Sequence, residues 1–330
     1  MLVFASEKIP IWRRVQRTNF YSWKRLADFL EFDHKQCSSM IKRANFPLNL
    51  PFRLAEKIEK KNLEDPILRQ FLPTLEETVL REGFVSDPVK DRFFRRENKL
   101  LHKYHGRVLL VCTSACAMHC RYCFRKEFSY ERSEKKKFHK ELELIAKEPS
   151  ISEVILSGGD PLSLGNTSLS ELISHLSSIS HVKRLRFHSR YPIGIPERID
   201  DGFLEILSNN CTQTYFVIHC NHPRELDGDV LQVLKKIQQT GTPVLNQAVL
   251  LRGVNDRVDV LVSLFERLIN HGILPYYLHQ LDRVEGAAHF EVPEEEGIKL
   301  LKEVMKKLPG YAIPKYAKEI PERLSKTFLF

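Results

Sequence analysis

From Arg107 onward the chain repeats one unit six times: a short apolar or β-branched run, a polar connection, then a longer amphipathic stretch. The apolar runs fall at 107–112, 152–157, 183–189, 213–219, 243–250 and 274–281, and the helical patterns at 137–148, 168–178, 201–208, 228–239, 257–270 and 294–308. Strands separated by helices of this length pair in parallel, with the helices covering one face. Right-handed crossovers then curl the sheet, and six units make a partial (βα)6 barrel rather than a closed eight-fold one. The spacing therefore predicts an α/β fold with the barrel over 101–308. Ahead of it, 1–100 reads as a small helical domain. Trp23, Leu26, Phe29 and Leu30 recur at helical spacing, as do Leu54 and Ile58, and prolines 47, 51, 66, 73 and 88 cut the helices short. Residues 309–330 form a short C-terminal segment.

Polar motifs follow the predicted strands. Cys116 to Cys123 come after the first, Ser157-Gly-Gly-Asp160 after the second and His188-Ser-Arg190 after the third. His219-Cys-Asn-His222 ends the fourth, Asn246-Gln247 lies in the fifth, and His279-Gln-Leu-Asp282 ends the sixth. The C-terminal ends of barrel strands form the catalytic mouth, so these motifs are expected to converge.

The run Cys116-Ala-Met-His-Cys120-Arg-Tyr-Cys123 is a C-x3-C-x2-C triplet. A [4Fe–4S] cluster takes four ligands, so three thiolates leave one iron open. Structural zinc is the bland alternative, with Cys112 as fourth thiolate, but Cys112 falls in or at the end of a strand and paired C-x2-C knuckles are absent. The Gly158-Gly159 pair reads either as ordinary turn chemistry or as backbone that a ligand approaches closely. His219, Asn221 and His222 suit hydrogen bonds better than a second metal site. Asp282 could cap a helix or meet a cation at the mouth. Lys326, read alone, is a solvated tail lysine.

Seven cysteines, an odd number concentrated in one motif, argue against a secreted disulfide framework. Met1 to Lys8 lack the pattern of a signal peptide, and no apolar run approaches bilayer length. The expected location is the reducing cytoplasm. The net charge of +9 permits an acidic partner, and a zinc-stabilised, basic RNA-binding protein is the rival of a different class. Its densest basic run, Glu134 to Lys140, lacks repeated aromatic interleaving, so a solvated face is expected rather than direct nucleic-acid contact.

The cysteine spacing resembles that of the radical S-adenosylmethionine (SAM) enzymes, in which the open iron binds SAM. From about Pro66 to Lys326 the chain resembles the lysine 2,3-aminomutase family. The likeness is carried by Leu101-His-Lys-Tyr-His-Gly-Arg107, Cys116 to Arg125, Ser157-Gly-Gly-Asp-Pro-Leu162, Asn246 to Asp256 and Pro275-Tyr-Tyr-Leu-His-Gln-Leu-Asp282. It is strongest toward the branch that serves β-lysylation of elongation factor P. The resemblance implies a [4Fe–4S] cluster on Cys116, Cys120 and Cys123. It implies SAM contacts at Ser157, Gly158, Gly159, Asp160, His219 and Gln247. It also implies pyridoxal 5′-phosphate (PLP) held covalently by Lys326 and gripped by Lys103, Tyr104 and Arg107. Arg125 falls where the substrate α-carboxylate binds, and Asp282 and Glu319 where the ε-ammonium binds. The implied activity converts L-lysine to (R)-β-lysine, with a reducing electron donor, and passes the product to a ligase acting on elongation factor P. A radical SAM enzyme without PLP chemistry is the rival within the enzyme class. Three departures stand out: Glu319 replaces an aspartate, Pro321-Glu-Arg-Leu-Ser325 replaces a glycine-rich stretch, and Phe328 replaces a proline. The cysteine-bearing extension of the fermentative mutases has no counterpart before Phe330.

Overall fold

The computed structural model describes residues 9–128, 130 and 138–330. Met1 to Lys8 and the 134–137 part of the basic run lie outside the described residues.

Ten strands form one sheet in chain order: β1 Arg95–Glu97, β2 Leu100–Tyr104, β3 Arg107–Thr113, β4 Glu153–Gly158, β5 Arg184–Ser189, β6 Gln213–His219, β7 Val244–Val249, β8 Leu274–His279, β9 Lys315–Lys318 and β10 Thr327–Phe328. Strands β3 to β9 pair in parallel, and antiparallel partners flank them, β1–β2 at one edge and β10 at the other. The six expected strands correspond to β3 to β8. The other four are additions to the sequence reading. Residues 95–104, assigned partly to the helical region, extend one edge, and the C-terminal segment supplies β9 and β10.

Helices cover the convex side because their apolar residues recur on one stripe. Asn166–Ser177 buries Leu169, Leu172, Ile173 and Leu176, and Val258–Ile269 buries Leu261, Leu264, Phe265 and Leu268. Gly228–Gln239 starts where the Asp227 side chain accepts from the Val230 amide. The strands sort their residues by alternation. Phe187 of β5 packs on Phe203 and Phe216 at 5.7 and 5.9 Å. Its neighbours Arg186 and His188 therefore face the opposite, concave side. Short helices at Ile11–Gln16, Trp23–Phe29, His34–Cys37, Phe52–Glu56 and Pro66–Arg69 form the N-terminal layer. One apolar cluster runs from Trp12 and Leu26 through Phe187 to Tyr316, so that layer and the barrel share a core.

Candidate active site

The loop after β3 is held from both sides. Outside, the N-terminal layer grips it: Asn19 Nδ2 donates to the Ala117 carbonyl at 2.8 Å, and the His119 amide donates to the Asn49 carbonyl at 2.9 Å. Arg121, buried among the cysteines, pairs with Glu77 at 2.5 Å and donates to the Phe46 carbonyl at 2.8 Å. The residues between the cysteines thus anchor the loop and leave the thiols for another purpose. Burial pushes the Cys116 thiol well up, with Asp160, Cys123 and Cys120 adding to it, and burial pushes Cys123 up to about 11, with Cys120 adding. The three thiols therefore feel one another. Among the described residues no three His, Cys, Asp or Glu side chains close on a single ion. In a [4Fe–4S] cluster each cysteine binds a different iron, so three thiols on one loop can serve as three of its four ligands.

Cys112 takes no part. It lies in β3 within the apolar core, its thiol faces the Leu110 carbonyl at 3.6 Å, and burial pushes it up to about 12. The zinc arrangement that counts it as a fourth ligand is therefore discarded.

The Ser157 to Asp160 turn packs directly under the cysteine loop. The Gly159 amide donates to the Thr113 carbonyl at 2.7 Å and the Asp160 amide to the Ala115 carbonyl at 2.8 Å. A Cβ at Gly159 would stand 2.4 Å from the Ala115 oxygen, and Gly158 has φ +119°. The glycines are thus required by the approach of the cysteine loop itself. Asp160 is committed to the protein: its carboxylate accepts from Leu162, Ser189 and the Arg190 amide, while burial lifts it to about 6. These bonds fix the turn from beneath. On neighbouring strands, His219 and Gln247 stand side by side in register. Burial, with Arg190 nearby, lowers His219 to about 3, which keeps it neutral. Gln247 faces His188 at 3.2 Å, and the other ring nitrogen of His188 is buried without a partner. Asn221 and His222 form hydrogen bonds within the protein.

A second group of side chains assembles beside β8 and β9. Glu319 lies at its centre, 2.7 Å from Lys326 Nζ and 2.5 Å from Lys103 Nζ, and it accepts a hydrogen bond from the Tyr104 hydroxyl. Burial alone would raise the Glu319 carboxyl, but Lys326, Lys103 and Tyr104 together hold it at about 2. Asp282 behaves oppositely: burial lifts it to about 7 although Lys326 and Lys103 pull it down. Lys326 is therefore no free tail residue; antiparallel pairing of β10 with β9 brings it back to the mouth. Arg107 lies 4.6 Å over the Tyr104 ring and makes no ion pair among the described residues, so its guanidinium is available to an anion. Arg125, also buried, binds Asp91 at 2.8 Å and Ser157 at 3.4 Å.

Sequence reasoning passed over Asp91, Gln70, Tyr122 and Glu225, which hold Arg125 and Arg190. Only Arg190 had a visible signal, its place directly after a strand.

A family model described as a 4Fe-4S single cluster domain matches residues 105–191, which include all three loop cysteines. Relatives extend much further. The chain is 42% identical to L-lysine 2,3-aminomutase of Escherichia coli (strain K12) over 284 residues, 86% of this chain and 83% of that protein. It is 41% identical to the Haemophilus influenzae protein of the same name, over 88% of this chain and 86% of that one. The Clostridium subterminale L-lysine 2,3-aminomutase is 31% identical over 88% of this chain and 70% of its own length. Together with a partial parallel barrel carrying its cysteine triplet at the mouth, these relatives establish that the chain belongs to the L-lysine 2,3-aminomutase family of radical SAM isomerases.

Proposed function

We propose that the protein is a PLP-dependent L-lysine 2,3-aminomutase that makes (R)-β-lysine. The observation that carries this reading is Lys326, drawn onto Glu319 beside Lys103, Tyr104 and Asp282 at the barrel mouth. When bound, the cluster and SAM supply hydrogen-atom abstraction, and PLP supplies the carbonyl that carries the migrating nitrogen. Cys116, Cys120 and Cys123 hold the cluster. The Ser157 to Gly159 backbone, His219 and Gln247 line the SAM position, with Asp160 supporting the turn from beneath.

Lys326 would hold PLP through its ε-amine. Arg107 and Lys103 would serve its phosphate, an anion for which an unpaired guanidinium is suited, with Tyr104 beside them. The forked guanidinium of Arg125, steadied on Asp91, takes the substrate carboxylate. Asp282 and Glu319 take the ε-ammonium. Holding both ends of lysine fixes C3 in one orientation, which is what a selective hydrogen abstraction requires.

The product serves β-lysylation of elongation factor P, by way of a lysyl ligase, in the cytoplasm and with a reducing electron donor; resemblance to that branch of the family supports this destination. Transfer of label from L-lysine onto elongation factor P, requiring both this enzyme and the ligase, tests it. The PLP assignment is tested by absorbance. The native protein should show a lysine-bound PLP band that Lys326→Ala lacks. A band unchanged in that variant overturns the assignment and favours a radical SAM enzyme without PLP chemistry.

A further inference from the structure

Arg190, directly after β5, is buried with 6% of its surface exposed. One arm of its guanidinium, Nη1, donates to Cys120 Sγ at 2.8 Å and to the Tyr122 hydroxyl at 2.6 Å. The other, Nη2, donates to Gln70 at 2.6 Å and to Glu225 at 2.8 Å. Glu225 is wholly buried and itself fixed, accepting the Asn221 and His222 amides at 3.2 and 3.0 Å and the Gln70 side chain at 3.0 Å. Four separate segments meet here: the N-terminal layer, the cysteine loop, and the turns after β5 and β6.

Glu225 balances the Arg190 charge on the Nη2 arm, while Nη1 is shared between the Tyr122 hydroxyl and the Cys120 sulfur. Bound to iron, that sulfur would be a thiolate and a stronger acceptor than a thiol. Among the described residues Cys120 is the only one of the three loop cysteines whose sulfur accepts from a guanidinium. Hydrogen bonds to cluster sulfurs and the net charge around them set the reduction potential of an iron–sulfur centre.

We propose that Arg190 is a positioning residue for the cluster: through its N–H···S bond to Cys120 it stabilises the more negative, reduced form and makes one-electron reduction easier. The inference rests on the cluster reading given above. The electron comes from the external donor, and no bond or proton on the protein changes. A purely structural Arg190–Glu225 pair would affect folding but leave the potential of an intact cluster alone.

The test uses the full chain, anaerobically reconstituted with iron and sulfide, and two variants. The double variant Arg190→Gln, Glu225→Gln removes both charges together and so avoids an unpaired buried carboxylate. Arg190→Lys keeps the charge but loses the fork that reaches sulfur and carboxylate at once. Each is titrated with dithionite and followed by electron paramagnetic resonance. In the double variant the reduction equilibrium should shift at least tenfold against reduction, about 59 mV more negative, with altered g values. The lysine variant should shift less, in the same direction, and it decides the matter if the double variant does not fold. An unshifted potential and unchanged spectrum in a folded, iron-loaded variant overturn the proposal alone. Absence of iron from the native chain overturns the cluster reading and this inference together.

Discussion

Two carboxylates at one mouth are driven in opposite directions by their surroundings. Glu319 is held at about 2 by three donors that overcome its burial, whereas Asp282 sits at about 7 because burial outweighs the two lysines near it. A substrate ammonium arriving at Asp282 would favour its charged form. Lysine binding at pH 6 should therefore release a proton, and binding at pH 9 should not. Calorimetry in buffers of different ionisation enthalpy reads this, and Asp282→Asn should abolish the release while weakening lysine binding. Proton release that survives in the variant would assign it to another group.

The same values give opposite stability profiles. Glu319 has a folded pKa below its unfolded value of about 4.3, so its contribution is present above that value and disappears as pH falls through about 2. Glu319→Gln leaves Lys103 and Lys326 together without their counter-ion and should cost about 3 kcal/mol at pH 7. Its effect should be mostly lost between pH 4 and pH 2, as denaturant melts across that range and at pH 7 would show. Asp282 has a raised folded pKa, so its ionisation destabilises the resting protein progressively from about pH 4 to about pH 7. Asp282→Asn should consequently melt higher than the native protein at pH 8 and alike at pH 4; a lower melting temperature at pH 8 would contradict this.

Among elements, the cysteine loop and the β9–β10 hairpin carry the most consequence. The loop lies so close on the glycine turn that Gly159→Ala forces a Cβ into the Ala115 carbonyl. The variant should lose about 1–3 kcal/mol of stability and more than half its iron after reconstitution. Wild-type iron content in that variant would show that the close packing is not needed for the cluster. Lys326 owes its place to two short pairings, Thr327 with Lys318 and Phe328 with Ala317, and to the Leu329 amide on the Tyr316 carbonyl at 2.8 Å. Deleting residues 327–330 should release Lys326 from Glu319 and weaken PLP retention at least tenfold, read by absorbance after gel filtration. Undiminished retention would place the cofactor elsewhere.

The elements that were legible in the sequence are those with long periodic signals. Strands β3 to β8 and the helices between them lie within a few residues of their expected ranges, because alternation and the 3.6-residue stripe persist over whole elements. Strands β1, β2, β9 and β10 escape the sequence reading because they hold only two to five residues each, too few to show a period, at the sheet edges. Their pairing is decided by the sheet already formed beside them. At the site, the cysteines and the glycine turn announced themselves by spacing. Asp91 and Glu225 did not, because a buried carboxylate that holds an arginine has no local pattern.

Over the whole molecule, the N-terminal layer is part of the active centre rather than an appendage. Gln70, Asn49 and Glu77 all reach the cysteine loop or the arginine behind it, and the layer's apolar residues, Leu26 and Phe71 among them, share the barrel's core. The two assemblies of side chains, thiols on one side and the Lys326 group on the other, face the same open end of a partial barrel. That arrangement underlies the proposal that hydrogen abstraction and nitrogen migration act on one bound lysine. It is tested most directly by anaerobic incubation of the reconstituted protein with L-lysine, SAM, PLP and a strong reductant, with amino acids separated by chiral chromatography. The expected result is (R)-β-lysine accumulating over many turnovers and dependent on SAM, PLP and the reductant. A protein that holds about four irons per chain and binds PLP, yet yields no β-lysine, would contradict the assignment.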